Sequence, residues 1–103
     1  MHTILCKLHL YVYKTVEIYY PGETHTEDNT VVYFKGKSLL FGGCMVKSMN
    51  SQSLGFTGDA NLEEWPKSIK KVIERYTGDI IVIPGHGKWG YRNLLIHTLV
   101  LCE

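Results

Sequence analysis

The run "DIIVI" (79–83) is a short, unbroken apolar stretch that stops at "PGHGKWG" (84–90), where proline and glycine end any regular element. Aliphatic residues bounded in this way are the pattern of a strand buried on both faces, and such a strand needs a sheet covered by helices. Helical patterns flank it. Upstream, Leu62, Trp65, Ile69, Val72, Ile73 and Tyr76 recur at three- and four-residue steps, which sets one apolar stripe against a charged face. Asp59 or Asn61 is placed to cap that helix, Pro66 falls near its first turn, and Gly78 stops it. Downstream, "YRNLLIHTLVL" (91–101) predicts a final helix with Leu94, Leu95, Thr98, Leu99 and Leu101 inward.

The first half reads as strands. "ILCKLHLYVY" (4–13) alternates from Leu5 onward, and "TVEIYY" (15–20) is closed by the turn signal Pro21-Gly22. "TVVYF" (30–34) and "SLLFGG" (38–43) flank "KGK", which predicts a hairpin. The polar, glycine-bearing stretch 48–61 reads as a loop. Paired strands followed by a helix, a strand and a helix predict an α/β layered domain, and 103 residues suffice for one.

Composition removes several classes of function. A formal net charge of +1 with no Lys/Arg block gives no electrostatic case for nucleic acid. No apolar run approaches the ~18 residues of a membrane-spanning helix. The N-terminal residues lack the charged start, apolar middle and small-residue cleavage site of a secretion signal, so location stays open. Three cysteines, Cys6, Cys44 and Cys102, form an odd set with no short-spaced pair, which argues against a disulfide framework.

Three residues share one kind of position. His25, Cys44 and His86 are each the first good metal ligand after an apolar strand, among glycines or small polar residues. In a layered α/β fold such strand ends gather at one sheet edge. Thiolate and imidazole suit zinc. Taken singly, Cys44 reads first as a small buried hydrophobe, and the two histidines at least as readily as solvated loop residues. Lys47, three residues past Cys44, places an ammonium where it would attract an anion. Asp28 suits an Asx-turn. His97 reads as a packed helix residue, and His2, His9, Cys6 and Cys102 as structural.

The stretches "YYPGETHTEDNTVV", "LLFGGCMVKS", "LGFTGDANLEEWPKSIKKV" and "IVIPGHG" follow one another as in the class B metallo-β-lactamases. The resemblance is to their broad-spectrum, two-zinc subclass and runs from about Val16 to Thr98. It implies zinc-dependent hydrolysis of a β-lactam-like small molecule: a zinc-bound hydroxide attacks the lactam carbonyl and a second zinc stabilises the departing nitrogen. By position, His25 resembles the third histidine of the first zinc site, Cys44 and His86 resemble ligands of the second, and Lys47 resembles the lysine that grips the substrate carboxylate. Phe56 stands where many members carry an asparagine that helps polarise the carbonyl, and it has no donor to offer.

The family is roughly twice this length, and its first half carries a His-x-His-x-Asp motif that this sequence lacks. The chain therefore resembles the C-terminal half of an αββα sandwich, a mixed sheet with helices on one face (15–103), preceded by a strand-like segment (1–14) that does not match. Reduced or absent activity is expected of such a half alone. Its inner sheet face, left bare, calls for a homodimer or a complementary half-domain. The alternative to a hydrolase is a non-catalytic zinc-binding homodimer, or a fragment that complements a separate N-terminal half.

Overall fold

The computed structural model describes residues 10–103. Five strands, β1 (Leu10–Tyr13), β2 (Val16–Tyr19), β3 (Val31–Phe34), β4 (Leu39–Gly43) and β5 (Ile81–Pro84), form one sheet in chain order. The first four run antiparallel as a meander, and β5 lies parallel to β4. Helix α1 (Trp65–Arg75) makes the crossover between β4 and β5, and α2 (Asn93–Cys102) follows β5. This is the expected mixed sheet with helices on one face. Residues 4–9 of the expected first strand lie outside the described residues.

The turns follow their chemistry. Lys14, at φ +55, closes the two-residue connection between β1 and β2. "KGK" folds into a short 3-10 turn ending at Ser38 in the left-handed region, φ +47. Asn61, the better of the two expected caps, accepts from the backbone N–H groups of Glu63 and Glu64 at 3.2 and 3.1 Å. Its carbonyl accepts from the Trp65 N–H at 2.9 Å, so the chain turns before the helix is regular. Leu62 therefore falls in the capping turn, 55% exposed, and is not part of the buried stripe.

The core lies between the sheet and the two helices. Val31, Leu40 and Val82 meet Trp65, Ile69 and Val72 of α1 and Leu94 and Leu95 of α2. Among the described residues, no element covers the opposite face. Pairing aligns Tyr11, Ile18, Val32, Phe41 and Ile83 in one row across all five strands. A second row comprises Tyr13, Val16, Phe34, Leu39 and Ile81. The expectation that β5 is buried on both faces is therefore corrected. Val82 and Pro84 are buried beneath the helices, whereas Ile81 and Ile83 remain partly exposed. Both helices pack on the same side, so an unbroken apolar run in sequence ends up with one covered face.

Candidate functional site

The two strands that run in parallel, β4 and β5, end side by side, and their following loops are pressed together. A Cβ on Gly85 would come within 2.8 Å of the Cys44 nitrogen and 2.9 Å of its Sγ, so only glycine fits there. A Cβ on Gly42 would lie 2.3 Å from a Val46 methyl. The glycines around Cys44 thus let the two loops close upon each other. The result is a cavity of about 170 Å³ lined by Cys44, Lys47 and His86 together with Ser51, Ser53 and Leu54.

Lys47 is held from the helix side. Its backbone N–H donates to Thr98 Oγ1 at 2.8 Å, and that hydroxyl in turn donates to the Leu94 carbonyl at 2.8 Å. Its ammonium lies 5.6 Å from the centre of the Trp65 ring. Burial lowers the pKa of Lys47, and the neighbouring Cys44 opposes that shift.

His25 belongs to the loop between β2 and β3. Asn29 shapes that loop: its Oδ1 accepts from the Thr26 N–H at 2.9 Å and from the Thr24 hydroxyl at 3.1 Å. Asp28 accepts from the Thr26 hydroxyl at 3.0 Å. The His25 ring stands edge-on to Trp65, with centroids 5.9 Å apart. Its Nδ1 is buried with no hydrogen-bond partner. Burial is the main force lowering its pKa, aided by the charges of Lys47 and His86 and opposed by Asp59. His25 and Lys47 thus share the Trp65 ring, the Lys47 ammonium lying 5.6 Å from its centre.

Trp65 organises the rim. It is fully buried, its Nε1 donates to the Met45 carbonyl at 3.1 Å, and its ring meets both His25 and Lys47. In the sequence it is one member of a helical stripe, and no local pattern marks it as the floor beneath two candidate site residues. Phe56 is 70% exposed. His97, read as a packed helix residue, reaches the Ser51 carbonyl through Nε2 at 2.8 Å and so ties α2 to the loop lining the cavity.

Cys44 and His86 are a zinc-type donor pair facing one space, and His25, set against Trp65, carries an unpartnered Nδ1 outside the cavity's lining. Among the described residues, however, no group of three or more His, Cys, Asp or Glu side chains converges to hold a metal ion. Cys44 and His86 alone leave a tetrahedral zinc ion short of ligands. The described residues fit part of a metal site and not a complete one.

No family model matches the chain. Over 88 residues, 85% of this chain, it is 51% identical to the metallo-beta-lactamase type 2 of Bacillus cereus. Over 80 residues, 78% of this chain, it is 45% identical to metallo-beta-lactamase IND-1 of Chryseobacterium indologenes. Each match takes in 34% of the relative, so the chain spans about a third of the length of these curated proteins. The solved structure of TMB-1 superposes with a TM-score of 0.90 at 38% identity, covering 98% of this chain and 52% of that one. The metallo-beta-lactamase FIM-1 from Pseudomonas aeruginosa, solved in a mono-zinc form, superposes at 0.86 and 36% identity, covering 91% of this chain and 42% of that one. In sequence and in fold, then, the chain corresponds to the C-terminal portion of class B metallo-β-lactamases.

Proposed function

We propose that this chain carries one wall of a zinc-dependent β-lactam hydrolase, and that by itself it has little or none of that activity. The observation that supports this reading is the Cys44–His86 pair on one small cavity with Lys47 beside it. When bound, zinc would supply water of lowered pKa and charge stabilisation at the lactam. Cys44 and His86 are the donors this chain offers from the joined β4 and β5 loops, and His25 offers a further imidazole from across Trp65. Lys47, braced by Thr98 and seated on the Trp65 ring, is set to hold an anionic carboxylate. Phe56 lends no hydrogen bond to a carbonyl, which removes one source of transition-state stabilisation.

The test couples metal content to turnover. Zinc stoichiometry of the wild-type chain is compared with that of Cys44→Ser and His86→Ala, and nitrocefin hydrolysis is followed with added zinc. Weak zinc uptake that both substitutions abolish, with turnover at least about 10²-fold below a full-length relative, is expected. Uptake unchanged by either substitution would overturn the ligand assignment. Normal turnover by this chain alone would overturn the claim of reduced activity.

A second reading is favoured by the bare sheet face. There the chain is a non-catalytic zinc-binding homodimer, or a fragment that complements a separate N-terminal half. Activity gained on mixing with the N-terminal portion of a relative would support the complementing version.

A further inference from the structure

The stretch that follows Lys47 walls the cavity shared by Cys44 and His86, yet little of it is packed. Met49, Asn50, Gln52 and Ser53 are exposed, while packing grips the stretch at buried Ser48 and at Leu54. Ser51 and Ser53 line that cavity, and Ser48 and Met49 line another of about 220 Å³ with Lys88 and Trp89. A turn with open space against it is placed by its hydrogen bonds more than by its core contacts. Its internal bonds are local: the Ser51 N–H donates to the Ser48 carbonyl at 3.0 Å, and the two hydroxyls lie 3.2 Å apart.

Two consecutive residues of α2 reach this turn from outside. Thr98 Oγ1 accepts from the Lys47 N–H at 2.8 Å, where the turn begins. His97 Nε2 meets the Ser51 carbonyl at 2.8 Å, where it ends. A carbonyl only accepts, so His97 carries a proton on Nε2 and donates it. Among the described residues, the hydrogen bonds of residues 49–53 otherwise stay within 48–55. The same helix is joined to the His86 side, because Gly90, just before α2, exchanges backbone bonds with Val82 at 2.8 and 3.0 Å. One helix therefore ties together the loop of His86 and both ends of the turn that begins at Lys47.

We propose that His97 and Thr98 are positioning residues for the candidate site. Thr98 fixes the backbone from which the Lys47 ammonium reaches out beside Cys44, and His97 fixes the wall at 51–54 that limits access to the thiol. The assignment rests on the reading of Lys47 as the group that holds an anion, and it adds that α2 sets the geometry of that grip.

Alkylation of Cys44 in the metal-free chain tests this, with anionic iodoacetate and neutral iodoacetamide compared at one pH and each cysteine followed by mass spectrometry. The ratio of the two rates reads the charge beside the thiol, because the thiolate fraction cancels, and their common change reads access. Relative to the urea-unfolded chain, wild-type Cys44 should favour iodoacetate by roughly threefold, the size of one screened ion pair, and Lys47→Gln should abolish that preference. Thr98→Val should lower the preference by about half, and Thr98→Ser should keep it. His97→Leu should speed both reagents at least about threefold at an unchanged ratio, whereas His97→Gln, which retains an N–H donor, should not. Cys102, packed against the core, should keep its wild-type rate in both His97 variants. A preference that survives Lys47→Gln or is unmoved by Thr98→Val overturns the role of Thr98. Rates unmoved by His97→Leu, or raised equally at Cys102, overturn the role of His97. No step uses zinc, so a chain that takes up none would remove the hydrolase reading and leave these outcomes to decide the positioning roles.

Discussion

Replacing Glu17 tests how the helix layer is fastened to the sheet. Glu17 projects from β2 to the helix side and is 5% exposed. Its Oε1 accepts from Arg75 Nε at 2.7 Å and from the Tyr76 hydroxyl at 2.6 Å. The Arg75 guanidinium also lies 5.0 Å from the centre of the Tyr19 ring. In Glu17→Ala the Tyr76 hydroxyl loses its acceptor in a side chain only 4% exposed, a loss of about 1–3 kcal/mol. The Arg75 side chain is 36% exposed and regains water, so the loss falls short of the ~3–5 kcal/mol of a fully buried broken pair. The net expectation is a destabilisation of about 2–3 kcal/mol, or roughly 10–20 °C in Tm for a chain of this size.

The sign of the pH dependence follows from the same contacts. The hydrogen bond from Arg75 is the main force holding the Glu17 carboxyl below its ordinary value of 4.5; burial opposes it and Tyr76 assists. A depressed carboxylate contributes stability that is complete above its unfolded value and lost as the pH falls through its folded value. Urea unfolding followed by circular dichroism should therefore show a constant gap between wild type and Glu17→Gln from pH 6 to 8. The gap should shrink below about pH 4.5. A Glu17→Ala loss under about 0.5 kcal/mol, or a gap unchanged in acid, would refute the reasoning.

Three further substitutions or reactions probe the site's supports. Gly85→Ala drives a methyl into the Cys44 backbone, so it should cost about 1–3 kcal/mol in urea melts and weaken any zinc uptake that depends on Cys44. Thr98→Val leaves the Lys47 N–H without its acceptor and should cost about 1–3 kcal/mol, read by the same melts; Thr98→Ser should restore most of it. Burial pushes the Cys102 thiol up to about 11, so at pH 8 its alkylation by iodoacetamide should run on the order of 10²-fold slower than in the urea-unfolded chain, as followed by mass spectrometry.

Local pattern was enough to read the elements. Alternating and continuous apolar runs marked the strands. The three- and four-residue spacing of Trp65, Ile69, Val72 and Tyr76 marked α1, and the glycines beside Cys44 and His86 marked strand ends where a ligand could be approached. These signals are one-dimensional, and each depends only on residues a turn or a strand apart. Motif order likewise pointed to the family, because it too is carried along the chain.

Tertiary packing decided the rest. It put both helices on one side, so Ile81 and Ile83 face outward although β5 reads as buried. It made Trp65 the floor beneath His25 and Lys47, and it drew Glu17, Arg75 and Tyr76 together across 59 residues. It also brought Cys44 and His86 to one cavity without closing a three-donor metal group among the described residues. Periodicity sets which way a side chain points from its own element, whereas convergence depends on how elements stack, and that is governed by contacts between residues far apart in the chain.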